Sequence, residues 1–425
     1  MQEIEIAKRQ GIVQGACVSV PPSKSLSNRA LLLASLSTGT CTLKNVLVSD
    51  DTKRMLEALK ALGVKLEEVR LGEVKIEGLG GLFKAPKPLT LDLGNAGTAM
   101  RPLCAALAVS EGEFTLTGIE RMMQRPIGPL TEALKEAGAR IEYLNNSGFP
   151  PLKIKGSKLH THALHISGQT SSQFISALLM IGPLLAEGLE LKVDGDLISK
   201  PYVDLTLSLM QRFGAKVTRE GYSRFKVEPT GYQSPASLTV EGDASSASYF
   251  MAAGAIAGEL KILGLGKDSV QGDLKFAQVL EKMGAKIEIF DDCIEVQKSD
   301  LQGISIDMND MPDAAMTLVP LALYTKGPVT ITNIASWRVK ETDRIAAFVN
   351  EMQKLGVKVE SGADFISIDA SSRNQEKPYF DTYDDHRMAM CLSLIAFDRD
   401  IVIKDPNCTR KTFPGYFEIF NKVTF

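Results

Sequence analysis

The sequence has few aromatic residues and no excess of charge of either sign. Only 6% of its 425 residues are aromatic and one is tryptophan, while 48 Lys and Arg against 51 Asp and Glu leave a formal net charge of -3. This balance argues against a nucleic-acid-binding protein or a protein that binds membranes through positive charge. The hydrophobic content of 44% and the charged content of 23% are typical of globular proteins and exclude a disordered chain.

The sequence also lacks a long hydrophobic run and a secretory signal. The longest apolar stretch, from Phe174 to Ala186, contains Gly182 and Pro183 and is too short to cross a bilayer. The first ten residues are rich in charge and have no apolar centre. We therefore expect a cytoplasmic protein with no membrane partner and no nucleic-acid partner.

Patterns that bind metals are scarce. None of the six cysteines belongs to a C-x-x-C pair, which fits reduced thiols and argues against a structural zinc site. Three of the four histidines lie between His160 and His165, but no Cys or carboxylate pair nearby completes a set of metal ligands. We interpret these histidines as alternating exposed positions on a strand, and we expect neither a metal nor a cofactor.

Glycine, by contrast, is abundant, and five of the 35 glycines mark an internal repeat. A phrase in which Gly-Ala or Gly-Val is followed by Lys or Arg recurs every 70 to 76 residues, at Gly63, Gly138, Gly214, Gly284 and Gly356. Each copy follows an amphipathic run and precedes an alternating run. This arrangement predicts a helix, a glycine just beyond its C-terminus, and then a strand.

A second repeated phrase lies before each of these glycines and opens a run rich in Ala, Leu and Met. Its six copies begin near Ser25, Gly97, Ser172, Ser246, Ala314 and Arg387. Between the two phrases a glycine precedes a short alternating segment, as in Gly39 to Leu43. One repeat of about 72 residues thus predicts helix, strand, helix and strand with further strand residues, and the chain holds six such repeats.

Six complete repeats need slightly more residues than the chain has, so the last repeat lacks its final strands. The only unassigned segment that could supply them is the N-terminal one, in which Ile4, Ile6, Ile12, Val18 and Val20 are typical of strands. We therefore expect one domain of residues 21–240 and a second domain of residues 1–20 plus 241–425, with three repeats in each.

Several basic residues lie at the predicted helix starts. Ordinary N-capping explains the Ser, Thr, Asn and Asp residues found there. Lys24, Arg29 and Arg387, however, lie at or just after helix starts, where a cation is unfavourable unless an anion lies between it and the helix. Helix starts repeated in this way could together bind an anionic ligand.

A further pair of cations occurs in the segment Ser336 to Arg344. If this segment is helical, Lys340 and Arg344 are like-charged neighbours four residues apart, which is unfavourable unless a ligand or a carboxylate intervenes. Glu341 and Asp343 are possible structural partners, so a solvated, salt-bridged helix face remains an alternative to a binding site.

Motifs of several other enzyme classes are absent. The sequence has no G-x-S-x-G, no P-loop and no H-E-x-x-H, and Gly264-Leu-Gly266 lacks the third glycine of a dinucleotide-binding site. The residues alone thus predict a two-domain repeat protein with a cleft for a multiply anionic ligand. Asp313 and Glu341 would be available there for proton transfer.

Six motifs carry a resemblance to a known family. They are Ser23–Ala30, Gly94–Pro102, Arg121–Gly128, Ser171–Gln173, Trp337–Arg344 and Asp385–Met390. Through these motifs the whole chain resembles the enolpyruvylshikimate-phosphate synthases. The resemblance implies an α/β fold, a two-domain inside-out barrel of six βαβαββ repeats that closes on its substrates. It also implies a transferase of the shikimate pathway, which moves the enolpyruvyl group of phosphoenolpyruvate to the 5-hydroxyl of shikimate 3-phosphate and releases phosphate.

The resemblance further implies which residues bind the two substrates. Shikimate 3-phosphate would contact Lys24, Ser25, Arg29, Ser171, Ser172, Gln173, Ser199, Asp313, Ser336 and Lys340. Phosphoenolpyruvate would contact Lys24, Asn95, Gly97, Arg125, Gln173, Arg344, Arg387 and Lys411. At Gly97 a side chain would occupy the space of the small ligand. Ser336 stands where the family commonly has asparagine, so its shorter side chain would reach the ligand through water.

Proton transfer is implied for four residues. Asp313 would accept the proton of the 5-hydroxyl, and Glu341 would donate a proton to C3 of phosphoenolpyruvate. Lys24 or Lys411 could replace them, because neighbouring cations disfavour the charged form of a lysine. The proposed cations exceed these two acids by about five charges, which nearly balances two phosphates and two carboxylates.

Two alternatives stay open. The sister enzyme that transfers enolpyruvyl to UDP-N-acetylglucosamine shares the fold, but it typically has a cysteine on the loop matching Arg121 to Gly128, where this sequence has none. A non-catalytic anion-binding repeat protein would need the cations but not Asp313 and Glu341.

We expect a monomer, since neither the repeats nor the cleft requires a second chain. The resemblance also implies sensitivity to glyphosate through the motif around Gly97.

Overall fold

The computed structural model describes residues 2–425, and these divide into two compact units. Ser23–Val240 form one of them, here called the N-terminal unit. The residues up to Pro22 join Glu241–Phe425 in the other, here called the C-terminal unit. Between residues 2 and 425 no helix has the length and apolar character needed to cross a membrane.

The helices and strands follow the predicted alternation. Two strands precede the first helix: β1 (Glu3–Ile6) and β2 (Cys17–Ser19). The N-terminal unit then contains α1 (Lys24–Leu36), β3 (Thr40–Lys44), α2 (Asp50–Ala61), β4 (Lys65–Arg70), β5 (Glu73–Glu77), β6 (Leu89–Asp92), α3 (Gly97–Ala108), β7 (Glu113–Thr117), α4 (Gly128–Glu136), β8 (Arg140–Tyr143), β9 (Leu152–Lys155), β10 (Ala163–Ser167), α5 (Ser172–Ile181), β11 (Leu189–Asp194), α6 (Pro201–Arg212), β12 (Val217–Glu220), β13 (Arg224–Val227) and β14 (Ser237–Thr239).

The C-terminal unit continues the same alternation. It contains α7 (Ala244–Ala257), β15 (Leu260–Leu263), α8 (Phe276–Lys282), β16 (Lys286–Ile289), β17 (Cys293–Gln297), β18 (Leu301–Asp307), α9 (Leu318–Leu321), β19 (Thr325–Thr332), α10 (Arg344–Gln353), β20 (Lys358–Ser361), β21 (Ile366–Asp369), β22 (Tyr379–Phe380), α11 (His386–Ser393), β23 (Ile401–Lys404) and α12 (Tyr416–Val423). The helix α9 is short and flanked by 3-10 turns, because Pro320 within it has no amide hydrogen to donate.

The sheets confirm the βαβαββ repeat. In the second repeat β6 pairs with β7 in parallel across α3, and β7 and β8 both pair antiparallel with β9. The third and fifth repeats have the same order, β10-β11-β13-β12 and β18-β19-β21-β20. The fold is therefore α/β, with helices that connect parallel strands and a hairpin that ends each of the first five repeats.

The first and fourth repeats each obtain one strand from elsewhere in the chain. The strand before α1, β2, pairs in parallel with β15, and the strand before α7, β14, pairs in parallel with β3. The strand β2 therefore belongs to the C-terminal unit and β14 to the N-terminal unit, although the helix that follows each strand lies in the other unit. The two N-terminal strands therefore do not both complete the sixth repeat: β1 pairs antiparallel with β23, whereas β2 belongs to the sheet of the fourth repeat.

The repeated glycines follow helices as predicted. All five have a positive φ, between +70° and +100°, a conformation that glycine adopts without steric cost. At Gly138 there is a second constraint, because a Cβ would lie 2.4 Å from Nδ1 of His160.

The prediction that the three histidines alternate on one strand is wrong, because only His165 lies in β10. Among residues 2–425 no group of three His, Cys, Asp or Glu could hold a metal.

Aromatic residues are few, but several pack together in the C-terminal unit. Tyr416 has its ring centroid 5.4 Å from that of Phe413, 5.6 Å from Phe250, 5.9 Å from Phe420 and 6.0 Å from Tyr249. These rings lie beside two basic residues of interest, since Phe413 is two residues after Lys411 and the Tyr249 hydroxyl accepts a hydrogen bond from Arg387.

Candidate active site

The first helix of the N-terminal unit begins with a buried lysine. Ser23 caps α1 by accepting a hydrogen bond from the Leu26 amide, and Lys24 is the first helical residue. The Nζ of Lys24 lies 3.2 Å from a carboxylate oxygen of Asp51, which is itself buried in the first turn of α2. Asp51 thus offsets the unfavourable position of a cation at a helix start. Asp51 was not predicted from the sequence, since it lies within an amphipathic run with no motif of its own.

Arg29 is buried in the same helix without a carboxylate partner. It is 4% exposed, and its guanidinium donates to Thr206 Oγ1 over 2.8 Å and to the Ser25 carbonyl over 3.1 Å. Between residues 2 and 425 no carboxylate oxygen lies within 4.0 Å of it. Burial lowers the pKa of Arg29 to about 10, against an opposing effect of Tyr202. A buried cation in this state would be stabilised by an anion.

Two residues beside Arg29 did not appear in the sequence analysis. Tyr202 and Thr206 both lie on α6, and the Thr206 hydroxyl also bonds to Ser176 and to the Tyr202 carbonyl. Their sequence signal is weak, because one turn of an amphipathic helix separates them and neither belongs to a motif.

Gly97 opens α3, a helix start without a side-chain cap. A Cβ at this position would lie 2.8 Å from Nη2 of Arg125 and 2.9 Å from Nη1 of Arg101. Arg125 donates through Nη1 to the carbonyl and side-chain oxygens of Asn95, over 3.1 and 2.9 Å. Glycine therefore lets two buried guanidiniums approach the positive end of a helix. The need for glycine at position 97 thus has a cause that was not predicted from the sequence, since an added Cβ would meet arginines of the protein itself.

The other predicted residues of the N-terminal unit lie at two further helix starts. Ser171 caps α5 by accepting from the Gln173 amide over 3.2 Å, and Ser172 is the first, buried residue of the helix. Ser199 is buried just before α6 and has a positive φ of +54°. For Ser171 the N-capping interpretation is confirmed, which does not exclude a ligand at the same helix start.

Arg344 is the centre of the charged cluster in the C-terminal unit. It is 1% exposed and donates to three carboxylates: to Asp313 Oδ1 over 2.8 Å, to Glu341 Oε2 over 3.0 Å and to Asp385 Oδ2 over 2.8 Å. Burial lowers the pKa of Arg344, but these three acids together raise it above its ordinary value. Three carboxylates thus surround one guanidinium, and ionised partners make such hydrogen bonds stronger than neutral ones.

Asp313 connects this arginine to a second one. Its other oxygen, Oδ2, accepts from Arg387 Nη2 over 3.0 Å, and Lys340 Nζ lies 3.8 Å from Oδ1. Burial raises the pKa of Asp313, but Arg387, Lys340 and Arg344 outweigh it and hold the pKa well below its usual value of 3.8. Asp313 is therefore an ionised carboxylate held among cations.

Glu341 connects Arg344 to a lysine. Its Oε1 lies 3.4 Å from Nζ of Lys411, and both residues are buried. The two predicted acids, Asp313 and Glu341, thus share Arg344 as a partner. Ser336 lies nearby in sequence, in a 3-10 turn, and is half-buried, with no side-chain hydrogen bond to another residue in the range 2–425.

One expectation about this segment is wrong. Lys340 and Arg344 are not four residues apart on a helix, because α10 begins only at Arg344, where Asp343 caps it by accepting from the Ala346 amide over 3.1 Å. Lys340 ends the preceding 3-10 turn. The intervening carboxylate that the pair needs is nevertheless present, since both cations contact Asp313.

Asp385 lies in a motif at a predicted helix start, where N-capping was expected, but its contact with Arg344 was not predicted. It caps α11 by accepting from the Arg387 amide over 2.9 Å, while its second oxygen accepts from Arg344. Together with Asp51 it lowers the expected excess of positive charge among the predicted residues by two. Each unit therefore presents buried basic residues at helix starts, part of whose charge the protein's own carboxylates balance.

The fold and these two clusters define an α/β protein of six repeats with buried basic residues at repeated helix starts. A family model described as EPSP synthase (3-phosphoshikimate 1-carboxyvinyltransferase) matches residues 8–420. A 3-phosphoshikimate 1-carboxyvinyltransferase of Shewanella sediminis is 52% identical over 412 residues, 96% of each chain. One of Shewanella sp. strain ANA-3 is 54% identical over 411 residues, 95% of each chain. The chain belongs to the EPSP synthase family.

Solved structures share the fold. An EPSP synthase from Acinetobacter baumannii covers 100% of this chain and 98% of its own, with a TM-score of 0.81 and 25% identity. The enolpyruvyl transferase NikO from Streptomyces tendae has a TM-score of 0.80 at 15% identity, with 100% of this chain and 98% of its own covered. The second similarity concerns the fold alone.

Proposed function

We propose that this chain is an enzyme that transfers the enolpyruvyl group of phosphoenolpyruvate to the 5-hydroxyl of shikimate 3-phosphate and releases phosphate. The observation that carries this proposal is the similarity, at 52–54% identity over almost the whole chain, to relatives named for that transfer. The buried cations support it, because both substrates are multiply charged anions and charge-assisted hydrogen bonds to them are stronger than neutral ones.

For shikimate 3-phosphate we propose contacts in each unit. Arg29 is the proposed phosphate ligand, since it is buried, carries a guanidinium without a carboxylate partner and lies beside Ser25. The remaining proposed contacts are Lys24, Ser171, Ser172, Gln173 and Ser199 of the N-terminal unit and Asp313, Ser336 and Lys340 of the C-terminal unit. A free guanidinium can bind two phosphate oxygens at once, which favours Arg29 over a lysine for this role.

For phosphoenolpyruvate we propose a second set of cations. In the N-terminal unit it comprises Lys24, Asn95, Gly97, Arg125 and Gln173, and in the C-terminal unit Arg344, Arg387 and Lys411. The close approach of two guanidiniums to the uncapped start of α3 supports the first group. Arg344 and Arg387 support the second, since both are buried and each already binds a carboxylate of the protein.

The reaction requires proton transfers in both of its steps, the addition and the elimination. In the addition, the 5-hydroxyl loses its proton, its oxygen bonds to C2 of phosphoenolpyruvate and C3 gains a proton, which produces a tetrahedral ketal. In the elimination, C3 loses a proton and the bond from C2 to the phosphate oxygen breaks, so that phosphate leaves with the bonding electron pair. Asp313 is the proposed acceptor of the hydroxyl proton and Glu341 the proposed donor to C3.

Asp313 is a weak base as long as three cations hold its pKa low. We propose that the anionic groups of phosphoenolpyruvate replace Asp313 as partners of Arg344 and Arg387. Loss of these contacts would raise the pKa of Asp313, so that the carboxylate becomes a stronger base only when the substrate is bound. The same exchange would stabilise the negative charge that develops on the substrate.

Glu341 needs a source of protons if it is the donor. Arg344 and Lys411 both contact its carboxylate and stabilise the ionised form. Lys411 Nζ, 3.4 Å away, is therefore the proposed source of the proton that Glu341 passes to C3. Lys24 remains the alternative group for proton transfer, since it lies 3.2 Å from Asp51 in a comparable pair.

A phosphate-release assay tests the proposal. The protein is mixed with phosphoenolpyruvate and either shikimate 3-phosphate or UDP-N-acetylglucosamine. We expect phosphate with shikimate 3-phosphate alone. Release only with the sugar nucleotide would favour the sister activity, and release with neither would favour a non-catalytic anion-binding protein.

We further propose that the enzyme acts in the cytoplasm as a monomer, without a metal or another cofactor, and that its two units are functional domains of three repeats each. The presence of three repeated helix starts within each unit supports the last point, at Lys24, Gly97 and Ser172 in the N-terminal unit and at Ala244, Ala314 and His386 in the C-terminal unit. Light scattering tests the monomer, and the phosphate-release assay with a chelator present tests the absence of a metal requirement.

A further inference from the structure

The segment that leads into α11 has an unusual backbone. Tyr383 and Asp384 are two consecutive non-glycine residues with positive φ, +56° and +54°. L-residues adopt this conformation at a steric cost, and such residues persist only where their surroundings hold them in place. Directly after them come Asp385, which caps α11, and Arg387 in the first turn of that helix.

A buried carboxylate on another helix holds this segment. Glu351 of α10 is 0% exposed, and its Oε1 accepts a 2.7 Å hydrogen bond from the Tyr383 hydroxyl. Its Oε2 accepts from Lys354 Nζ over 2.7 Å and from the Asp381 amide over 3.0 Å. One carboxylate thus connects α10 to the segment at two points, and burial strengthens these bonds.

Lys354, the residue directly after α10, adds a third connection. Its Nζ donates to the Tyr379 carbonyl over 2.8 Å and to Asp381 Oδ2 over 3.0 Å. Burial and then the bond to Glu351 raise the pKa of Tyr383 to about 12, so the hydroxyl remains a donor throughout the working pH range of a cytoplasmic enzyme. The whole path from Tyr379 to Tyr383 is therefore fixed to the last turns of α10.

The first residue of α10 is Arg344, which donates to Asp385 Oδ2 over 2.8 Å. The helix α10 therefore contacts the segment before α11 at both of its ends, through Arg344 at its N-terminus and through Glu351 near its C-terminus, and Lys354 directly after the helix adds to the second contact. A rotation of the Tyr383 backbone out of the left-handed region would redirect Asp385 and, with it, the first turn of α11. The relative position of Arg344 and Arg387 depends on that turn.

We infer that Glu351 and Tyr383 are a positioning pair, which holds the two left-handed residues in place and thereby sets the geometry of Arg387 against Arg344. The inference rests on the proposed function, in which these two arginines bind phosphoenolpyruvate. Neither member of the pair contacts the charged cluster directly, so both act through the backbone of Tyr383 and Asp384. The effect should appear in the KM for phosphoenolpyruvate.

The test compares three substitutions at one position. Tyr383→Phe removes the hydroxyl that bonds to Glu351, Tyr383→Ala removes the whole side chain, and Tyr383→Gly removes it while making positive φ free of steric cost. We expect Tyr383→Ala to raise the KM for phosphoenolpyruvate about 5- to 30-fold, with the KM for shikimate 3-phosphate and kcat within about threefold. Tyr383→Gly should recover most of that loss, although it removes the same contacts.

The chain offers a matched control. Tyr143 donates a hydrogen bond of the same length, 2.7 Å, to Glu132 in the N-terminal unit, and neither residue is a proposed contact of a substrate. Tyr143→Phe should leave both KM values unchanged, whereas Tyr383→Phe should raise that for phosphoenolpyruvate. A wild-type KM in Tyr383→Phe, or a Tyr383→Gly variant no better than Tyr383→Ala, would overturn the inference.

Hydrogen exchange provides a readout that needs no activity. Tyr383→Phe should speed amide exchange in the peptide spanning residues 379–390 more than about fivefold, and Tyr143→Phe should not change it. Unchanged exchange would overturn the positioning role even if the wild-type protein released no phosphate. If the wild-type protein releases no phosphate but amide exchange is faster in Tyr383→Phe, the proposed function is contradicted. The positioning role of Glu351 and Tyr383 is supported in that case.

Discussion

Arg29 donates a 2.8 Å hydrogen bond to the Thr206 hydroxyl, 177 residues further along the chain, and finds no carboxylate within 4.0 Å among residues 2–425. Folding thus buries a cation whose pKa falls to about 10, at a cost in stability that a bound phosphate would offset. We predict that Arg29→Met abolishes binding of shikimate 3-phosphate but leaves the unliganded protein as stable as the wild type or more stable. Thermal unfolding with and without the ligand measures both effects.

A buried arginine with a carboxylate partner is the control for Arg29. Arg399 is similarly buried but donates to Asp398 over 2.8 Å. Arg399→Met should lower the free energy of unfolding by about 1–3 kcal/mol, because it removes one partner of a buried ion pair. The prediction for Arg29 is wrong if Arg29→Met loses as much stability as Arg399→Met.

Asp313 shares its two oxygens between Arg344 and Arg387, which are also the proposed ligands of phosphoenolpyruvate. We predict that Asp313→Asn lowers kcat at least about 100-fold, as expected for loss of a general base. The KM for phosphoenolpyruvate should stay equal or fall, because the substrate no longer competes with a carboxylate for the arginines. Steady-state kinetics at saturating shikimate 3-phosphate measure both values, and a near-normal kcat would remove Asp313 from the mechanism.

Asp313 also affects the pH dependence of stability. Burial raises its pKa, but Arg387, Lys340 and Arg344 hold the pKa in the folded protein well below the ordinary value of 3.8. Its stabilising contribution is therefore complete above about pH 5 and is lost as the pH falls below the unfolded pKa toward the folded one. We predict a steeper loss of stability between about pH 5 and pH 2 in the wild type than in Asp313→Asn. Parallel urea-unfolding midpoints of the two proteins over this range would contradict the assignment.

The features predicted correctly from the sequence depend on local patterns. Glycine after a helix and alternation in the next strand recur in the first five repeats, so five glycines were enough to locate five helix ends and the strands that follow. The caps Ser23 and Ser171 follow the same logic, because a cap bonds to an amide two or three residues away.

The features that the sequence missed depend on contacts between distant residues. Asp385 pairs with Arg344 across 41 residues, and Thr206 reaches Arg29 across 177. No periodicity relates such pairs, and the sequence therefore predicted the cations, Asp313 and Glu341, but not the contacts of Asp51, Asp385 and Thr206 with the cations. The pairing of β2 with β15 and of β14 with β3 was not predicted for a similar reason, since strands of three residues do not specify their partners.

Gly97 gives the last prediction. A Cβ at this position would lie 2.8 Å from Arg125 Nη2 and 2.9 Å from Arg101 Nη1, both of them ends of flexible side chains. Gly97→Ala should therefore fold normally and displace Arg125 rather than disrupt the backbone of α3. Since Arg125 is a proposed ligand of phosphoenolpyruvate, we expect the KM for that substrate to rise about 10-fold or more, which equals roughly 1.4 kcal/mol of binding free energy. The KM for shikimate 3-phosphate should change little, and inhibition by glyphosate should weaken in parallel.

The control for Gly97 is a glycine of the same unit with free space around it. A Cβ at Gly81 meets no atom within 4 Å and its φ is not positive, so Gly81→Ala should leave both KM values unchanged. A combined Gly97→Ala and Arg125→Lys variant separates the two possible causes. If the Cβ acts by displacing Arg125, lysine at position 125 lacks the guanidinium that the Cβ would meet. Adding Gly97→Ala to Arg125→Lys should then change the KM for phosphoenolpyruvate very little. If the Cβ instead occupies the space of the ligand, the two effects on KM should multiply.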